Sequence, residues 1–195
     1  MKACMQTATD IARSRRQRGS LLIELLFATT ILAIGFGGIL ALLVGSMNSN
    51  GRSSNDTMST MLAEHVLEQI SSAPANSNTA LTITDCTGTA WSISTAGTVV
   101  GSGNGGSNGG NGANLTSGGV VDWTQSSASV PAGYAMQYVA CGAGGRQTTY
   151  DVRWDVITMS TYSRMAIISA RPVGSEYVGG VRFVVPANLR TIAGM

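Results

Sequence analysis

The sequence predicts an α+β fold: a long N-terminal α-helix, transmembrane in its first part and amphipathic in its second, packed on an antiparallel β-sheet head. Three observations carry this expectation. From Leu25 to Gly45 the chain has no charged residue, roughly 30 Å of helix at 1.5 Å per residue, enough to cross a hydrocarbon core. Met58, Met61, Leu62, Val66, Leu67 and Ile70 then recur at the three- and four-residue spacing of one helix face. After Pro74 the pattern changes to two-residue alternation interrupted by turn residues. The chain therefore divides into residues 1–19, 20–45, 46–73 and 74–195, with a glycine-rich loop at 101–119 inside the last part.

Residues 1–19 are basic, with Lys2, Arg13, Arg15, Arg16 and Arg18 against Asp10. A basic flank before an apolar run holds the N-terminus in the cytoplasm and sends the residues after Gly45 outward. The whole chain is 44% hydrophobic and 11% charged, with a formal charge of +2. Without residues 1–19, seven arginines face nine carboxylates, so the basic balance belongs to the leader and gives no ground for nucleic-acid binding. Glu24 sits at the start of the apolar run, where an ionised carboxylate costs at least about 2 kcal/mol at the bilayer centre and calls for a partner.

The run Arg13-Ser14-Arg15-Arg16-Gln17-Arg18-Gly19, directly followed by Ser20-Leu21-Leu22-Ile23-Glu24, resembles the type IV pilin and pseudopilin superfamily. The resemblance implies that a prepilin peptidase cuts after Gly19 and that Ser20, where the family usually has phenylalanine or methionine, becomes the methylated first residue. Glu24 then stands at the family's fifth mature position, where the glutamate pairs with the N-terminus of a neighbouring subunit during assembly. The same resemblance implies a lollipop-shaped subunit: an inner-membrane precursor with its head in the periplasm, built by the pilus assembly platform into filaments with major and minor pilins and displayed at the cell surface. The order of elements is similar to the PilV-type modification minor pilins, so the implied role is that of a minor type IV pilin. Two alternatives stay open: a minor pseudopilin of type II secretion, and an uncleaved membrane-anchored periplasmic binding module in which Glu24 snorkels to the interface. Many major pilins have proline where this chain has Ala41. Here Gly35, Gly37 and Gly38 cluster in mid-span, where glycine costs up to about 1 kcal/mol of helix stability and permits bending or close helix approach.

Helical spacing continues to Ala73, and Pro74 marks the stop. Glu64, His65 and Glu68 fall on or beside the opposite face, and His65 is expected to be a solvated helix residue. Beyond the leader's Cys4 the cysteines are Cys86 and Cys141, one possible pair in an oxidising compartment; two free buried thiols are the alternative. In the head, Leu81–Thr84 and Trp91–Ser94 are the first expected strands, with a turn at Asp85 to Gly88 between them. Gly101 to Gly119 holds nine glycines and no lysine, which excludes a Walker phosphate loop and suggests a flexible surface loop or linker. Four further strands are expected at Tyr134–Cys141, Tyr150–Ile157, Ser163–Arg171 and Val178–Val185. Alternation in the second of these puts Tyr150, Val152, Trp154 and Val156 on a core face and Asp151, Arg153 and Asp155 on a solvated one. With one histidine and no nucleophile elbow or metal-ligand spacing, the sequence points to no enzyme, no metal and no cofactor.

Overall fold

The structure, a computed structural model, describes residues 3–142, 145–174 and 185–194, with side-chain surroundings from Leu21 onward. It divides into two compact units, Met1–Gly51 and Arg52–Met195. Helix α1 runs Ala3–Ser72, so the first unit is helix and the second contains the final stretch of α1 together with everything after it.

In the first unit every residue from Leu21 to Gly51 is exposed, and one helix of the described residues is long and apolar enough to cross a membrane. Two hydroxyls in this run do not oppose an apolar surrounding. Thr29 Oγ1 and Thr30 Oγ1 both donate to the Leu26 carbonyl, at 3.0 and 2.7 Å, so these two polar groups are satisfied inside the helix.

In the second unit α1 buries Ser59, Leu62, Ala63, Val66 and Ile70, a stripe at helical spacing. Glu64, His65 and Glu68 are exposed, as the periodicity indicated. Met61, expected on the stripe, is 58% exposed, because 3.6 residues per turn puts it on the side of the helix opposite Ala63, Val66 and Ile70. The helix ends at Ser72, just before Pro74, which lacks the N–H to continue it and biases its predecessor away from helical angles.

The strands after it are β1 (Leu81–Thr84), β2 (Ala90–Ile93), β3 (Asn111–Gly112), β4 (Ala135–Cys141), β5 (Gln147–Ser160), β6 (Ser163–Pro172) and β7 (Ala187–Gly194). β1 and β2 form a separate hairpin, and the larger antiparallel sheet has the order β3-β5-β6-β7, with β4 also paired to β5. β5 is central. β6 lines one edge, while β4 (opposite Gln147 to Arg153) and β3 (opposite Asp155 and Val156) share the other.

Cross-strand partners share a face, so Tyr150, Val152, Trp154 and Val156 stand beside Ala170, Ile168 and Ala166 of β6, and all of them join Leu62, Ala63, Val66 and Ile70 in one core. Two polar contacts hold the helix to this face. Tyr150 Oη donates to Asn55 Oδ1 at 3.3 Å. Arg164, only 1% exposed, donates to the carbonyls of Ala73 at 2.6 Å, Thr95 at 3.0 Å and Ser77 at 3.4 Å, and also to that of Ile70. The last carbonyls of a helix have no partners of their own and carry its negative dipole end, so the two terminal nitrogens of the guanidinium are well placed there, while the buried Nε has no hydrogen-bond partner among the described residues.

The other face of β5 departs from expectation. Asp151, Arg153 and Asp155 are buried, because the 101–125 stretch covers the sheet on that side. Arg153 Nη1 donates to the Gln125 carbonyl at 2.6 Å, and Trp123 Nε1 donates to Ser169 Oγ on β6 at 3.1 Å. The glycine-rich stretch is thus part of the core covering and not a linker. Gly112, at φ +135°, would carry a Cβ only 2.2 Å from the Trp154 carbonyl, and one on Gly110 would be 2.2 Å from that of Val156. Only residues without a Cβ let this backbone lie so close to β5. Of the expected strand Val178–Val185, residues 178–184 lie outside the described residues and Val185 is exposed and outside any strand. The strand that closes the sheet is β7, which the sequence reading did not mark.

Candidate functional site

The sequence-derived site residues occupy two separate places. Gly19 and Ser20 lie within α1, which runs through them without interruption. Glu24 follows in the same helix, exposed, and it is the only charged residue from Leu21 to Gly51. No described residue gives its carboxylate a hydrogen bond or an ion pair. Gly35, Gly37, Gly38 and Gly45 on the same helix have nothing within 4 Å of where a Cβ would stand, so no packing inside the chain requires them.

In the head, Cys86 follows β1 and Cys141 ends β4, and their sulfurs are bonded at 2.02 Å with Cα atoms 5.9 Å apart. The bond joins the β1–β2 hairpin to the main sheet, and Cys86 N–H donates to the Val139 carbonyl beside it. The hairpin turn is held by Asp85, whose Oδ1 accepts from Thr87 N–H, Thr87 Oγ1 and Thr89 N–H at 2.9, 2.6 and 3.0 Å, while Oδ2 accepts from Trp91 Nε1 at 3.1 Å. Led by the Thr87 hydroxyl, these donors hold the Asp85 carboxyl down at about 2, against the opposing pull of burial.

A cleft of about 760 Å³ opens on the far face of the sheet, lined by Trp123, Gln125, Gln137, Asp151, Arg153 and Arg171 among others. Its floor is an ion pair: Arg153 Nη2 lies 2.7 Å from Asp151 Oδ2, with Nε at 3.2 Å from both carboxylate oxygens. The guanidinium carbons of Arg153 and Arg171 stand 4.6 and 4.2 Å from the Trp123 ring centroid, within cation–π range. Asp122 beside it is lowered from the usual carboxyl value, first by the Thr124 hydroxyl and N–H and least by the Arg153 charge. The cleft offers hydrogen bonds and a stacked cation–aromatic layer. Its one buried carboxylate is committed to Arg153, and among the described residues that line it there is no further carboxylate or histidine to activate the serine hydroxyls on its rim. Among the described residues no group of three histidine, cysteine, aspartate or glutamate side chains gathers to hold a metal.

Sequence reasoning did not find Trp123, Arg164 or the Gln125 contact of Arg153. Each depends on contacts made across 28 to 94 positions of the chain, and none has a local signature. No family model matches the chain, and neither a curated protein nor a solved structure matches it.

Proposed function

We propose that the chain is the precursor of a minor type IV pilin, a structural subunit carried to a filament by its apolar helix with the β-rich head displayed. The observation that supports this most is the Leu21–Gly51 helix, exposed along its whole length, apolar, and charged only at Glu24. A surface of that kind needs surroundings that the chain does not supply: a bilayer first, and other apolar helices after it. The arginine-rich stretch ending in Gly19 provides the processing site, cleavage frees the Ser20 amine, and Glu24 gains a cationic partner that no described residue gives it. The partners on this reading are a prepilin peptidase, the major and minor pilins, the assembly platform and the inner membrane, and the head works by binding and not by catalysis.

Processing is the test. In cells that make a prepilin peptidase, the mass of the mature protein is expected to place its N-terminus at Ser20, and Gly19→Val is expected to accumulate uncut in the inner membrane. A mature wild-type protein that still begins at Met1 removes the pilin reading and leaves an uncleaved anchor carrying a binding module.

A further inference from the structure

Asp155 and the glycine-rich loop make a closed arrangement that neither membrane insertion nor filament assembly uses. Asp155 is fully buried. Its Oδ1 accepts the Gly110 N–H at 2.8 Å, while Oδ2 has no hydrogen-bond partner. The glycines are pressed against that second oxygen: a Cβ on Gly105 would stand 1.9 Å from Oδ2, and one on Gly109 would stand 2.7 Å from it. On β5 the nearest charge is Arg153, which is committed to Asp151 and the Gln125 carbonyl. β6 presents Ile167 opposite Asp155, with the untitratable Met165 and Ser169 to either side. From β7, Arg190 pairs with Ile167 and reaches toward Gly119. The covering segment from Thr98 to Gly119 holds no titratable residue. Among the described residues, then, the carboxylate has one amide donor and no cation.

A buried carboxyl in such a place favours its neutral form, because ionisation would leave a charge with neither water nor a counter-ion. Burial accordingly pushes Asp155 up to about 7, with the Gly110 N–H pulling the other way.

We propose that Asp155 is a proton-operated latch for the glycine-rich loop: the neutral acid seats residues 103–112 on β5, and loss of the Oδ2 proton to solvent loosens them. The sign follows from linkage. With the loop lifted, the carboxyl is hydrated and titrates in its ordinary range; with the loop seated, it holds its proton to a higher pH. Seating is therefore tightest below pH about 4, weakens about tenfold per pH unit up to about 7, and levels off above. Release uncovers the β5 edge at Asp155 and Val156, which β3 otherwise pairs. The loop has to be glycine-rich for this, since only a bare backbone comes close enough to Oδ2 to exclude water.

The test is amide hydrogen exchange on the full chain in detergent at pH 5 and pH 7, corrected for the intrinsic rate. The peptide covering 101–119 is expected to lose about fiftyfold in protection over those two units while the β6 peptide does not, and Asp155→Asn is expected to give a loop equally protected at both pH values. Loop protection in the wild type that is the same at both pH values overturns the latch, as does an Asp155→Asn variant with the wild-type pH dependence. Recovery of the pH 5 protection at pH 7 on adding calcium chloride also overturns it, because a cation and not a proton would then be the neutralising partner. Should Asp155→Asn not fold, the carboxyl carbon resonance of Asp155 in the wild type decides: a titration midpoint near 7 supports the latch, and one near 4 overturns it.

Discussion

Between Leu21 and Gly51 nearly all the large side chains are apolar and every residue is exposed, whereas in β5 Asp151, Arg153 and Asp155 are ionisable and all three are buried. Each stretch reverses the usual sorting, and the reversals have opposite causes. The strand's surroundings come from the chain itself: Gln125, Trp123 and the loop glycines close over its polar face, the Gln125 carbonyl accepting from Arg153 and the Gly110 N–H donating to Asp155, while Trp123 donates to Ser169 on the neighbouring strand. The helix has no such cover among the described residues, and its length and apolar composition suit it to cross a membrane. Glycine makes the same point in small. At 105, 110 and 112 an added Cβ would meet atoms at 1.9 to 2.2 Å, but at 35, 37, 38 and 45 it would meet nothing within 4 Å. The first set answers to packing inside the head, and the second set is free to answer to a neighbour outside the chain.

The sharpest way to break the account of β5 is to orphan its ion pair. Arg153→Met leaves Asp151 buried without its guanidinium and is expected to destabilise the head by about 3–5 kcal/mol, whereas adding Asp151→Leu to it is expected to restore most of that. Urea unfolding followed by tryptophan fluorescence reads this out cleanly, since Trp91, Trp123 and Trp154 all lie in the second unit. Equal losses in the single and double variants would mean that packing, not charge, sets the stability of this face. The Cys86–Cys141 bond spans 55 positions, and replacing both cysteines by serine is expected to cost roughly 4 kcal/mol in the same assay, by loop-closure entropy in the unfolded chain. No loss would show that the hairpin is held by the Asp85 turn and the Cys86 N–H without the bridge.

Where the environment is local, the sequence was legible. Leu25 to Gly45 declares its helix by composition, α1 ends where Pro74 requires, and strands β4, β5 and β6 fall within a few residues of the alternating runs that announced them. The Asp-Arg-Asp face of β5 was misplaced for a physical reason: alternation separates two faces of a strand but does not say what covers each. The cover is a loop whose composition is that of a flexible linker, and only its seat on β5 shows why it needs glycine at 105, 110 and 112. Arg164 was invisible because its partners are backbone carbonyls of Ile70, Ala73, Ser77 and Thr95, which no side-chain pattern encodes. In β7, Leu189-Arg190-Thr191-Ile192 does not alternate apolar with polar, and Ile192 is exposed, so period-two reading has no signal there.

A smaller effect sharpens the helix side of the comparison. Gly37→Ala has space for its methyl group and is expected to add up to about 1 kcal/mol of helix stability. It should leave the fluorescence-detected urea midpoint of the head unchanged while far-ultraviolet circular dichroism shows equal or greater helicity. A shifted head midpoint would mean that the glycine serves the chain's own packing.

The claim that the first half of α1 is completed by another subunit rests on Glu24, and it is tested most directly by comparing wild type with Glu24→Leu in membrane and sheared-filament fractions. Replacing the carboxylate makes the helix more apolar and removes the cost of inserting a charge, so the variant is expected to be made, inserted and cleaved at wild-type levels. It is expected to be depleted from filaments at least about tenfold, the effect of losing about 1.4 kcal/mol of pairing with the Ser20 amine of a neighbour. Equal incorporation at equal membrane levels would contradict the account and leave Glu24 a polar residue that the helix merely tolerates.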